Sequence, residues 1–212
     1  KRGRKPDPPD DTVPPHTKRN LTDPDSRIMK TRHGYVQGYN GQAVVDVDTG
    51  VIVAADLTNE ANDVNQLVPM LEQVKKETGE EPAVGLADAG YFSEKNLESF
   101  EDAPTELFIA VANDFKEMQR RGPRQAPRGR IPGNLTPKQR MERKLLTKKG
   151  KATYRNRGST VEPVFGQIKE ERGLRELLVR GMDKARAEWK LICATHNILK
   201  LWRSGKGLPE AV

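Results

Sequence analysis

The apolar pattern of the chain changes period once, between residues 55 and 64, and that change restricts the fold most. Before it, Ala43, Val44, Val45 and Val47 lead into Asp48-Thr49-Gly50, and Val51-Ile52-Val53-Ala54-Ala55 leads away. β-Branched arms around a Gly-containing turn predict a hairpin whose strands are half-buried or buried. After it, Val64, Leu67, Val68, Leu71 and Val74 step by three and four, the spacing of one helix face. Asn62 or Asp63 is placed to cap that helix and Gly79 to end it, while Pro69 disfavours its first half. A short apolar run, residues 83–87, ends in Asp88-Ala89-Gly90-Tyr91. Ser93-Glu94-Lys95-Asn96 then opens a second helix reaching Phe100, and residues 107–111 read as another buried strand. Strand, strand, helix, strand, helix, strand predicts a mixed α/β sheet flanked by helices.

The remainder is less regular. Thr22-Asp23-Pro24-Asp25-Ser26 carries an Asx/Pro turn signal. Residues 113–137 are rich in Arg, Pro and Gly and read as a loop or arm. Thr136-Pro137 opens a basic helix over residues 138–146, and Ser159 with Glu162 forms a capping box for a helix reaching about Ile168. The last helix spans residues 183–203, with Ala185, Trp189, Ile192, His196 and Leu199 on one stripe. His196, Trp189, Trp202 and Cys193 read as core, and His16 and His33 as loop residues without partners. Five segments follow: a basic proline-rich linker (1–20), the first part of the sheet core (21–112), a basic insertion (113–150), a helical part of the same core (151–203) and a tail (204–212). The chain opens at Lys1 inside the linker, so it is expected to be the C-terminal part of a longer polypeptide.

Charge narrows the functional classes. Residues 1–115 hold 12 Lys and Arg against 21 Asp and Glu, and residues 116–212 hold 25 against 9. A strongly basic half points to a polyanion partner, although two solvated faces of opposite sign would give the same balance. The single cysteine, Cys193, excludes an internal disulfide framework and a Cys-built zinc site. No apolar run approaches the ~18 residues of a membrane span, and no signal peptide opens the chain. A soluble cytoplasmic protein is expected.

Two carboxylates are the leading chemical candidates. Asp88 ends a buried strand and precedes a tight turn, where α/β sheets collect their sites; capping the next helix is its structural alternative. Glu162 lies in Tyr154-Arg155-Asn156-Arg157-Gly158-Ser159-Thr160-Val161-Glu162 and shares a helix face with Lys169, seven residues on. Capping would also explain it. Carboxylates flanked by cations suit Mg²⁺ or Mn²⁺ beside a phosphate backbone: hard oxygen ligands hold the metal, and Arg and Lys hold the polyanion. The cluster Arg120, Arg121, Arg124, Arg128 and Arg130 fits phosphate contact, which the charge balance favours over its alternative, a solvated loop.

At these residues the chain resembles the C-terminal part of bacterial insertion-sequence DDE transposases, in the group related to insertion-sequence families four and five. Asp23-Pro24-Asp25-Ser26-Arg27, Gly38-Tyr39-Asn40, Asp88-Ala89-Gly90-Tyr91, residues 154–169 and Thr195-His196-Asn197-Ile198-Leu199-Lys200 carry the likeness. It implies an RNase H-like fold, metal-dependent cutting and joining of double-stranded DNA at transposon ends and targets, and dimers acting on paired ends in the bacterial cytoplasm, associated with the nucleoid. It makes Asp88 and Glu162 catalytic carboxylates and metal ligands. Tyr154, Arg157 and Lys169 match signature residues near the DNA ends; Arg155, Arg128 and Arg130 are the further DNA-binding expectations. Four residues separate Arg157 from Glu162, where the commonest signature has three. The first catalytic Asp of this branch lies upstream, in an Asp-Gly-Thr/Ser-Lys-like context absent here. Asp25 is the only early carboxylate in its place, and its Asp-Pro-Asp setting also reads as a structural turn. The chain is therefore expected to lack the first strand of its sheet. Two rivals remain open: a catalytically inactive DNA-binding fragment, and an RNase H-like nuclease acting on branched or hybrid nucleic acid.

Overall fold

The computed structural model describes residues 20–31, 34–111, 128–129 and 132–205. Among the described residues six strands occur in order: β1 (Arg27–Thr31), β2 (Gly34–Gly38), β3 (Asn40–Val45), β4 (Ile52–Thr58), β5 (Val84–Ala87) and β6 (Glu106–Ile109). The helices are α1 (Leu67–Thr78), α2 (Glu94–Glu98), α3 (Pro137–Leu146), α4 (Lys148–Gly166) and α5 (Met182–Arg203), with a 3₁₀ turn at Ala89–Tyr91 and a π turn at Gln167–Glu171. The expected α/β character is present.

The strands form three separate pairs among the described residues, in place of one mixed sheet. β1 pairs antiparallel with β2, β3 antiparallel with β4, and β5 parallel with β6. The β1–β2 hairpin went unforeseen, because Ile28, Tyr35 and Val36 stay exposed and leave no burial signal. β3 and β4 match the expected hairpin, with a register shift at Val44/Val45. Two clusters form most of the core. Val45, Ile52 and Leu57 pack on Val164, Ile168, Ala185, Trp189 and Ile192 under the β3–β4 hairpin. Leu67, Ala87, Leu107, Ile109 and Met141 fill the space around β5 and β6. Met141 therefore ties the second half of the basic insertion into the packed body.

Three expectations need correction. Asp63 does not cap α1, which begins at Leu67 after Gln66; its carboxylate accepts bonds from β3 side chains. The capping box at Ser159 does not form. α4 starts eleven residues earlier, capped by the Thr147 hydroxyl, which accepts from Gly150 N–H at 2.9 Å. Ser159 lies mid-helix and its hydroxyl donates to the Asn156 carbonyl at 3.1 Å. Residues 148–158 lack an apolar stripe, and packing of α4 on α3 and β5 supplies what periodicity omits. Trp202, expected in the core, is 82% exposed, because α5 runs past the hairpin it covers. Pro69 is accommodated in the first turn of α1.

The closing helix locks onto the hairpin through polar bonds. Asn197 donates to the Ile52 carbonyl and accepts from the Ile52 N–H, both at 2.8 Å. His196 is 1% exposed, and its Nε2 donates to the Gly50 carbonyl at 3.3 Å. Burial lowers its pKa from the usual 6.5, opposed by that hydrogen bond. Because the unfolded chain takes up the proton first, this stability is present above pH 6.5 and is lost as pH falls below it. Thermal unfolding followed from pH 8 to pH 5 is therefore expected to show a falling midpoint below 6.5, and H196L is expected to flatten that component.

Candidate active site

The site assembles at the end of β5. Asp88 follows the last strand residue and caps the 3₁₀ turn, its Oδ1 accepting from Gly90 N–H at 2.8 Å. Tyr154 on α4 donates its hydroxyl to the Ala87 carbonyl at 3.1 Å, which ties α4 to the residue before Asp88. Arg157, one turn on, stacks at 5.9 Å from the Tyr154 ring and lines the same cavity as Asp88.

A second carboxylate meets Asp88 there. A Cβ on Gly90 would lie 3.0 Å from Asp63 Oδ2 and 3.0 Å from Asp88 Oδ1, so the missing side chain leaves a cradle between two carboxylates. Asp63 is oriented by amides: Asn40 Nδ2 and Gln42 Nε2 donate to its Oδ1 at 2.6 and 2.8 Å. Gln42 is 2% exposed, accepts the Tyr91 hydroxyl at Oε1, and offers its backbone carbonyl to Trp189 Nε1 at 3.0 Å. Burial, reinforced by Asp63 and Asp88, pushes the Tyr91 phenol far above its usual pKa, so it stays a donor. Asp63 Oδ2 and Asp88 thus face each other with both frames fixed. Two hard carboxylates around an open space suit Mg²⁺ or Mn²⁺, which take one or two carboxylates plus water or phosphate. Sequence reading missed Asp63 because it resembles a helix cap.

The other expected residues lie elsewhere. Glu162 is exposed on α4, its Oε1 3.5 Å from Arg157 Nη2, and is not among the described residues lining the cavity. Among the described residues no group of three or more His, Cys, Asp or Glu converges as ligands. Asp25 is occupied at the start of α5, where its Oδ2 accepts from Met182 N–H at 3.0 Å. Asp23 beside it accepts from Tyr39 Oη at 2.7 Å and Gly181 N–H at 3.2 Å. The Asp-Pro-Asp motif is thus a structural turn joining β1 to α5. Arg155 and Lys169 are exposed, with Lys169 Nζ 5.4 Å from the Phe165 ring. Arg128 is exposed, whereas Arg120, Arg121, Arg124, Arg130, His16 and His33 lie outside the described residues. Burial pushes the Cys193 thiol up to about 12, consistent with an inert core residue.

No described helix is long and apolar enough to cross a membrane. No curated protein and no solved structure matches the chain. The family model for the transposase DDE domain matches residues 9–198. With nearly its whole length in that match, and a strand-end aspartate set in an α/β frame, the chain belongs to the transposase DDE domain family, whose members act on DNA.

Proposed function

We propose that this chain carries out metal-dependent DNA strand cleavage and strand transfer for an insertion sequence, on an RNase H-like framework. The observation that carries the reading is the cradle between Asp63 and Asp88 at the end of β5, beside the cationic face of α4. Asp88 and Asp63 would hold Mg²⁺ or Mn²⁺, with Glu162 as the third carboxylate from α4; Asp25, committed to α5, takes no part. When bound, the metal supplies Lewis-acid activation of the attacking oxygen and of the scissile phosphate.

The chain's own residues do the rest. Asn40 and Gln42 hold Asp63 in one orientation, and the Gly90 amide holds Asp88. Arg157 draws the DNA phosphate toward the carboxylates, and Tyr154 fixes the helix that carries it. Arg155 and Lys169 extend the cationic track along α4 and beyond, and Arg128 adds a contact outside it. Water attacks the phosphodiester at the element end, leaving a 3′-hydroxyl and a 5′-phosphate; that 3′-hydroxyl then attacks a target phosphodiester and displaces the target's own 3′-hydroxyl. The protein works as a dimer on paired ends, in the bacterial cytoplasm beside the nucleoid.

The test is cutting of plasmid DNA carrying transposon ends, with Mg²⁺ and with EDTA. Cutting at terminal repeats that needs the metal supports the proposal. Salt-sensitive binding without cutting identifies an inactive fragment, and cutting governed by branched structure identifies a nuclease. E162Q retaining wild-type activity would remove Glu162 from the set. Binding should also weaken with salt, and K169A should lower the slope of log K against log salt by about 1, in fluorescence-anisotropy titrations at several ionic strengths.

A further inference from the structure

We propose that two copies of this chain pair, without DNA, through the outer face of α5. The two helices lie antiparallel, with Leu191 of each against Ala194 of the other. α5 is apolar on two opposite faces. Its inner face, with Ala185, Trp189, Ile192, Cys193 and His196, is buried against the β3–β4 hairpin. Half a turn round, Ala187, Leu191, Ala194, Ile198 and Leu201 step by four, three, four and three, which makes a second stripe along the helix. Leu191 and Ile198 are 64% and 62% exposed, and Ala187, Ala194 and Trp202 lie open beside them. Leu178 widens the patch: its N–H donates to the Glu188 carboxylate at 2.9 Å, and it is 87% exposed. A helix apolar all round is normally covered all round. Bulky apolar side chains left in water over several hundred Å² mark a contact surface.

The order of large and small residues selects a second copy of the same helix as the occupant. In an antiparallel pair about a two-fold axis, each residue meets the one equally far beyond the axis. With that axis level with the bond between Ile192 and Cys193, Leu191 falls on Ala194 of the partner subunit. Ile198 then falls on Ala187 of the partner subunit, and symmetry repeats both contacts. Each branched side chain meets an alanine, so the axes can approach to ~8 Å, the close end of helix packing. A parallel pair in register would set Leu191 on Leu191 and Ile198 on Ile198, with gaps over the alanines. Charge agrees with the antiparallel sense. Lys184, exposed at the start of α5, comes over Trp202 of the partner subunit, a cation on an aromatic face. The positive start of one helix also lies beside the negative end of the other. A stable interface takes about 800 Å² per copy. The stripe, Trp202, Leu178 and the lysine stems reach the low end of that range, so the pairing is reversible. The proposed function puts two copies on paired DNA ends; this face would join them before DNA arrives.

The experiment is analytical ultracentrifugation of the full 212-residue chain in the absence of DNA. A shift from monomer to dimer is expected between about 1 and 100 µM, as suits an interface of this size. L191K should weaken the dimer about 100-fold or more, because two-fold symmetry buries the new charge twice. A194L should weaken it about tenfold or more by setting leucine against leucine. The double variant L191A/A194L exchanges the large and small positions and should recover most of the wild-type affinity. Leu191 and Ala194 are exposed in the single chain, so thermal midpoints at about 1 µM should match the wild type. Three results would overturn the proposal: a monomer at every concentration, an L191K dimer as tight as the wild type, or a double variant no better than A194L. The second would give the dimer to another surface, and the third would reject the antiparallel alignment. No DNA is present, so a monomer here leaves the strand-transfer reading standing.

Discussion

D88N is expected to abolish metal-dependent cutting, lowering the rate by ~10³-fold or more, equivalent to ~4 kcal/mol of transition-state stabilisation. The substitution removes the negative charge at the end of β5 but keeps Oδ1, which can still accept from Gly90 N–H. Asp88 is exposed and the fold does not rest on its charge, so the midpoint of thermal unfolding should stay nearly unchanged. A dead but fully folded variant is the distinguishing outcome. D63N should weaken Mn²⁺ binding as well, read by electron paramagnetic resonance without DNA. G90A gives an orthogonal check: its Cβ would fill the cradle 3.0 Å from both carboxylates, so Mn²⁺ affinity should fall with both acids still present. Wild-type cutting by D88N would remove the carboxylate chemistry from this site altogether.

W189A is expected to lower stability by about 3–5 kcal/mol, a large share of the ~5–15 kcal/mol typical of a domain. Trp189 is 6% exposed and stacks on Phe165 with centroids 5.9 Å apart. A Cβ on Gly41 would lie 3.2 Å from its ring, so β3 passes this indole at a distance only glycine permits comfortably. Its Nε1 donates to the Gln42 carbonyl at 3.0 Å, and the Gln42 side chain in turn holds Asp63 and Tyr91. The cavity therefore opens under the residue that orients the site. Urea unfolding should show a reduced midpoint with an unchanged slope. W189F keeps the stacking but loses one hydrogen bond to the Gln42 carbonyl, and should cost about 0.5–1.5 kcal/mol. A W189A midpoint equal to wild type would place the hairpin's anchor elsewhere.

Much of the framework was legible locally. The β-branched arms around Asp48-Thr49-Gly50 became β3 and β4, and the stripe from Ala185 to His196 became the buried face of α5. Asp88 was found by its place after an apolar run, a signal that needs no partner. Asp63 was not, because an Asp four residues before a helix reads as a cap. Its carboxylate instead meets Asn40 and Gln42, more than twenty residues earlier, and only the packing of α1 against β3 and β4 brings them together. The continuity of α4 was hidden for a related reason. Its first half has no apolar periodicity, so its helical state depends on the Thr147 cap and on contacts with α3 and β5.

By itself, then, the sequence determined the kinds of element, their order, the apolar face of each and the strand-end position of Asp88, because short-range periodicity and turn chemistry act within a few residues. Only the tertiary structure decided that Asp63 faces Asp88 across Gly90, that Asp25 serves the start of α5, that Arg157 and Glu162 share one unbroken helix, and that β3 and β5 belong to separate strand pairs among the described residues. Each of these depends on which surfaces meet, and hydrophobic burial drives surfaces together without regard to their separation along the chain.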